Sequence, residues 1–296
     1  MTDVTSDTQT LAAGDGVSLA YRFFPSAHAH RRGSVVYLHG IQSHGGWYVD
    51  TAAELARRGY AVYLPDRRGS GISGGARGFF PSWEQLIDDV RRFVATSKRD
   101  DGDCPTFLVG GCWGARPALA FALREERELD GLALVCPAIN VKVDLSVREK
   151  LTVIWGRALS PRTSVRVPLT PEMFTSNPPY LDYIRDDPLS LRHVTASFFF
   201  ETFRSTRHLA RQRGLSLPLL LLQAGSDPIV NTPAVTAWFN RMASRDKQSV
   251  VYPSFGHILD FEVERQRYWD DLVGWLDRTS AVTQAAVEPA ESQPIP

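Results

Sequence analysis

The sequence predicts an α/β protein built on a mostly parallel sheet with helices on both faces. Three observations carry that expectation. Short apolar runs alternate with helix-compatible stretches through residues 34–136. Runs such as Val35-Val36-Tyr37-Leu38 and Phe107-Leu108-Val109 are apolar at every position, as strands buried on both faces are. The pattern resumes at residues 217–223 after a long interruption. In such a sheet the crevice beyond the C-terminal ends of the strands is the expected ligand site.

Taken in order, residues 1–8 read as a loose tail. Residues 10–13 and 17–24 flank the turn signal Gly14-Asp15-Gly16 and predict a hairpin. A strand over 34–38 runs into His39-Gly40-Ile41-Gln42-Ser43-His44-Gly45-Gly46-Trp47. A helix is expected over 50–58, ended by Gly59, then a strand over 61–64. The glycine-rich loop 65–78 is not closed by Gly-Lys-Ser/Thr, which excludes a phosphate loop. Within it, Asp66 and Arg68 are expected to pair and fix the loop. Ser82 is placed to cap a helix to residue 95, with Gln85 at the capping-box position. Another buried strand covers 131–136.

The organising stretch is Phe107-Leu108-Val109-Gly110-Gly111-Cys112-Trp113-Gly114-Ala115. An apolar strand enters it and a helical run, 115–126, leaves it. Gly110, Cys112 and Gly114 form G-x-C-x-G, the strand-turn-helix pattern G-x-S-x-G with sulfur for oxygen. A residue forced into so sharp a turn is strained, and its neighbours two positions away must be small. The side chain at the apex stands free, at a helix N-terminus that favours negative charge.

Pro137 breaks the strand–helix alternation. Residues 138–213 show helical stretches, 147–159 and 189–209, several prolines and no clear strand. A helical insertion here lies over the strand ends as a lid. Trp155, Phe174, Tyr180, Phe198, Phe199, Phe200 and Phe203 are its candidate lining for an apolar pocket. Beyond it, Asp227 sits in a turn after the strand at 217–223, where an acid can orient a histidine. Thr232 is placed to cap a helix reaching 241. A last strand, 249–252, leads to Pro253-Ser254-Phe255-Gly256-His257. A closing helix covers 262–276, and residues 279–296, rich in Ala, Pro, Glu and Gln, read as disordered.

Composition narrows the function classes. With 43% hydrophobic and 22% charged residues over 296 positions, the chain is of ordinary globular type. A formal net charge of +0 gives no electrostatic footprint for nucleic acid or an anionic membrane. The 3 cysteines are too few and too odd in number for a disulfide framework, and point to a reducing compartment. No run approaches a membrane span and the N-terminus has no signal-peptide pattern, so a cytoplasmic protein is expected. No residue pattern calls for a metal or other cofactor.

Four segments, in order, carry a resemblance: His39-Gly40 after a strand, Asp66-Arg67-Arg68-Gly69-Ser70-Gly71-Ile72-Ser73 with Arg77-Gly78, the Gly110–Gly114 elbow, and Asp227 with His257 after late strands. Together they resemble the α/β-hydrolase superfamily, within it the monoacylglycerol lipase and lysophospholipase branch, over roughly residues 17–276. A Cys at the elbow resembles the dienelactone hydrolases instead. The resemblance implies a mostly parallel eight-stranded sheet covered by helices on both faces, in two parts, 1–137 and 214–278, around a helical lid at 138–213.

It also implies a Cys112–His257–Asp227 triad, with backbone N–H groups of Ile41 and Trp113 as the oxyanion hole. Gly40, His44, Trp155, Phe174, Phe199 and Phe203 are the candidate pocket residues, and His39 is expected to brace its loop. The expected partner is a small-molecule acyl substrate, an ester, thioester or lactone. Hydrolysis through an acyl group on Cys112 is the leading expectation. Transfer of that group to an acceptor other than water, and a non-catalytic binding role, are the alternatives.

Overall fold

The computed structural model describes residues 6–287. Its strands are β1 (Asp7–Ala12), β2 (Ser18–Phe24), β3 (Gly33–Leu38), β4 (Tyr60–Pro65), β5 (Thr106–Gly111), β6 (Gly131–Val135), β7 (Ser164–Arg166), β8 (His193–Thr195), β9 (Leu219–Ala224) and β10 (Lys247–Tyr252). Its helices are α1 (Val49–Arg57), α2 (Trp83–Asp101), α3 (Ala115–Ala122), α4 (Val147–Leu159), α5 (Pro178–Asp186), α6 (Ala196–Arg211), α7 (Thr232–Asn240) and α8 (Gln266–Val287).

Eight strands form one sheet in the order β1-β2-β4-β3-β5-β6-β9-β10. The pairs β1–β2 and β2–β4 are antiparallel, and every later pair is parallel. All residues of β3, β4, β5, β6 and β9 are buried, which is why their sequences carry no polar alternation. Helices α1 and α8 pack together, as do α2 and α3, and the two pairs cover the two faces. The strand order reverses between β3 and β5, because β4 lies on one side of β3 and β5 on the other. At such a switch point the connecting loops diverge and leave a crevice. The register brings the strand ends level, with Leu38 opposite Gly110 and Gly111 opposite Val135. The loops that follow β3, β5 and β6 therefore leave from one edge.

Several expectations need correction. Asp66 does not pair with Arg68. Its carboxylate accepts from the N–H groups of Gly45 (2.6 Å) and Ile72 (2.9 Å) and from Arg22 (3.3 Å). Arg68 pairs instead with Asp89 and with Asp15. A carboxylate with a ring of backbone donors close by has no need of a distant guanidinium. Ser82 caps α2 by accepting from Gln85 N, but the Gln85 amide turns to Asp15, so the capping box is not reciprocal. The cap of α7 is Asn231, accepting from Ala234 N, while the Thr232 hydroxyl donates to the Ala224 carbonyl. The segment read as strand-free holds the short antiparallel pair β7–β8. The closing helix starts later than expected and runs to Val287, so residues 279–287 are helical, and 288–296 lie outside the described residues. At the other end Asp7 and Thr8 belong to β1, and residues 1–5 are likewise outside.

Candidate active site

Cys112 opens a single 3-10 turn, Cys112–Gly114, between β5 and α3, at φ +50°. An L-residue there is strained and persists only because its surroundings over-determine it. A Cβ on Gly114 would stand 2.3 Å from the Leu38 carbonyl oxygen and 2.5 Å from that of His39; one on Gly110 would stand 2.6 Å from Ala115 Cα. Both glycines are thus required by backbone passing close by, and the elbow cannot relax.

The loop after β3 closes on the sulfur. A Cβ on Gly40 would come within 3.5 Å of Cys112 Sγ, so backbone at this position lies against the apex. The N–H of Ile41 meets no protein acceptor among the described residues. The N–H of Trp113 lies in the first turn of a helix end, where donors lack intrahelical partners. Arg67, buried, holds the loop from behind, donating to the carbonyls of Gly40 (3.0 Å) and Ile41 (3.2 Å). Its guanidinium stacks over Trp113 at 4.7 Å and Phe198 at 5.2 Å. His39 braces the same loop. Its Nε2 accepts from Arg67 N at 2.9 Å, which leaves Nδ1 to donate to the Gly40 carbonyl at 2.8 Å.

Asp227 and His257 meet across the ends of β9 and β10. His257 Nδ1 donates to Asp227 Oδ2 at 2.7 Å, and the other carboxylate oxygen accepts from Ile229 N and Val230 N at 2.8 and 2.9 Å. Burial alone would push the His257 ring down; the Cys112 sulfur and the Asp227 carboxylate outweigh it and raise the ring to about 10. His257 Nε2 is buried without a hydrogen-bond partner among the described residues. That nitrogen is thus left free on the side of the Cys112 sulfur, which is near enough to raise the ring.

Cys136 Sγ joins Asp227 and His257 within 4.8 Å, a three-donor group that sequence reasoning missed. Asp227 and His257 are already spent on each other, and Cys136 Sγ accepts from Ala224 N at 3.3 Å. Burial pushes the Cys136 thiol well up, which keeps it neutral. These donors do not open toward a metal.

Cys112 forms part of the wall of a cavity of about 460 Å³. Ile41 and Trp113 share that wall with the loop after β6 and one side of α6, including Phe199 and Phe203. Their rings stack at 6.0 Å. Of the other pocket candidates, Gly40 lies against the Cys112 sulfur, and Trp155, Phe174 and His44 lie elsewhere. Trp155 is 63% exposed on the outer side of α4. Phe174 is buried against the Trp47 ring at 5.6 Å and the His257 ring at 6.1 Å, so it packs beside His257 and does not line the cavity. His44 is a cap: its Nδ1 accepts from Gly46 N, and its Nε2 donates to Asp187 Oδ2 at 3.1 Å. Trp47 Nε1 donates to the same oxygen, tying the loop after β3 to the segment between β6 and β9. Periodicity shows that an aromatic belongs to a helix but not whether its face meets the sheet or water. Arg116 was also missed, though one charge in Ala115-Arg116-Pro117-Ala118-Leu119-Ala120-Phe121 is a visible irregularity.

The chain is similar to known proteins over most of its length. The Hydrolase_4 family model, described as serine aminopeptidase, S33, matches residues 29–264. A phospholipase of Bacillus subtilis (strain 168) is 26% identical over 78% of this chain and 90% of its own. A monoacylglycerol lipase of Mycolicibacterium smegmatis is 25% identical over 93% of this chain and 99% of its own. Among solved structures, a soluble variant of monoglyceride lipase from Saccharomyces cerevisiae, in complex with a substrate analog, superposes with a TM-score of 0.84. It covers 94% of this chain and 97% of that one at 19% identity. No helix of the described residues is long and apolar enough to cross a membrane.

Proposed function

We infer that this chain, which belongs to the Hydrolase_4 family of α/β-hydrolases, cleaves an ester or thioester of a small-molecule acyl substrate through an acyl group carried on Cys112. The observation that carries the reading is the elbow itself: a strained cysteine on the wall of a 460 Å³ cavity, beside a buried Asp227–His257 pair at 2.7 Å. Lipase and phospholipase relatives support an ester as the substrate class.

The chemistry follows from the geometry. With the thiol proton passed to His257 Nε2, where the raised ring holds it, Cys112 Sγ attacks the acyl carbonyl, and the carbonyl oxygen becomes an oxyanion. The N–H groups of Ile41 and Trp113 face that oxygen, each contributing ~3 kcal/mol in the transition state. Asp227 keeps Nδ1 protonated and stabilises the imidazolium. The bond to the alcohol or thiol breaks, and the leaving group takes the proton from Nε2. Water then attacks the thioester while His257 accepts its proton. The C–S bond breaks, the acid departs, and the proton returns to sulfur. In this reading residues 138–213 act as a lid, since α6 and the loop after β6 wall the cavity above the sulfur. Sulfur leaves more readily than an alkoxide, which favours donors with good leaving groups.

The test is intact-protein mass spectrometry after exposure to esters, lactones and acyl thioesters. One acyl group should add at Cys112, with turnover reduced by ~10³-fold or more in Cys112→Ala. Full turnover in that variant, without any adduct in the wild type, would sink the covalent mechanism.

A further inference from the structure

Arg116 stands one helical turn beyond Cys112 and is 3% exposed. Its Nη1 donates to Thr206 Oγ1 at 2.6 Å and reaches the Thr202 carbonyl at 3.4 Å, while its Nε has no partner. No carboxylate pairs with it among the described residues. The side chain borders the cavity that contains Cys112. Asp144, in the same wall, is already paired with Lys150, and Arg207 adds a second guanidinium at the exposed rim.

A buried cation without a counter-charge is costly, and folds retain one only when something repays it. Arg67 shows what a structural solution looks like, with two carbonyls and two aromatic faces. Arg116 has neither a carboxylate nor a stacked ring, and it faces open volume. A guanidinium fork with free N–H groups matches planar or tetrahedral oxyanions.

We propose that the substrate supplies the missing anion: a carboxylate or phosphate group, on the part of the ester that enters this cavity, bound by Arg116 with Arg207 at the rim. The proposal rests on the hydrolase reading and narrows its substrate class. The guanidinium is held against α6, on the cavity wall it shares with Cys112. One turn of rise places the anion about 5–8 Å from the reacting carbonyl, a short chain away.

The experiment compares matched aryl thioesters on the wild-type enzyme: glutarate and adipate half-thioesters, the same chains capped as methyl esters, and chains ending in phosphate. An anion-bearing donor should exceed its capped counterpart in kcat/KM by ~10²-fold or more. The carboxylate and phosphate arms then rank the two sources. Arg116→Gln should cut that ratio by ~10²-fold, and Arg116→Lys, which keeps charge without the fork, by less. Capped donors used as well as charged ones, or a ratio unchanged in folded Arg116→Gln, overturn the proposal. Calorimetry with monomethyl glutarate and methyl phosphate on Cys112→Ala protein reads the anion site without turnover. Binding that disappears when Arg116→Gln is added supports it, and no binding of either probe overturns it. The outcomes separate from failure of the hydrolase reading, in which no donor, charged or neutral, acylates Cys112.

Discussion

His257 and Arg116 are both buried and both lie near Cys112, yet their charges are balanced differently. His257 has its counter-charge inside the chain, in Asp227 at 2.7 Å, whose other oxygen is held by two backbone donors. Arg116 has a hydroxyl, a carbonyl and a place on the cavity wall. The first region is finished before any ligand arrives. The second, as proposed, is complete only when a ligand brings charge. On the proposed function, the difference separates machinery that must be preorganised, because it meets the transition state, from a contact that selects what enters.

The comparison breaks most visibly at Asp227. Asp227→Asn keeps the shape but turns an amide toward Nδ1, forcing the wrong tautomer on the ring. We expect kcat to fall by ~10³-fold or more, and the urea midpoint at neutral pH to drop by the equivalent of about 2–3 kcal/mol. A variant with near-wild-type turnover would show that the pair does not orient the base.

The pH dependence of stability sharpens the same point. His257 is raised in the folded protein, from an ordinary 6.5 to about 10. Protonation therefore favours the folded state, fully so below pH 6.5. That contribution is lost as pH climbs through about 10. Urea midpoints measured from pH 6 to 10 should fall across this window, with a shallower slope in Cys112→Ala because one of the two groups that raise the ring is gone. A slope independent of Cys112 would remove the sulfur from the account.

The smallest effect is expected at Arg116, and its sign is the informative part. Replacing an unmatched buried charge by an apolar group of similar length is often neutral or stabilising. Arg116→Met should change unfolding free energy by ~1 kcal/mol or less, or raise it, by thermal or urea denaturation. A loss of several kcal/mol would mean that Arg116 is a structural brace like Arg67.

Much of the site was legible before folding because its motifs are local. Gly110 and Gly114 announce a turn where no Cβ fits, and the short distances from their would-be Cβ atoms to Ala115, Leu38 and His39 give the reason. The order Cys112, Asp227, His257 placed each residue after its own strand. Trp155, Phe174 and His44 were misassigned for one shared reason: their surroundings come from distant elements. Trp155 points to solvent, Phe174 meets Trp47 and His257, and His44 meets Asp187. Asp66 and Arg68 failed likewise, since their partners lie in other segments.

By itself the sequence determined the α/β layering, through unbroken apolar strands, and the bend at Cys112, through glycines two positions to either side. Those are consequences of backbone sterics and hydrophobic burial, which act within a few residues. Only the tertiary structure decided which buried charges are matched. It joined Asp227 to His257, gave Arg67 the carbonyls of its neighbouring loop, and left Arg116 facing a cavity, because counter-charges are found across space and carry no signal along the chain.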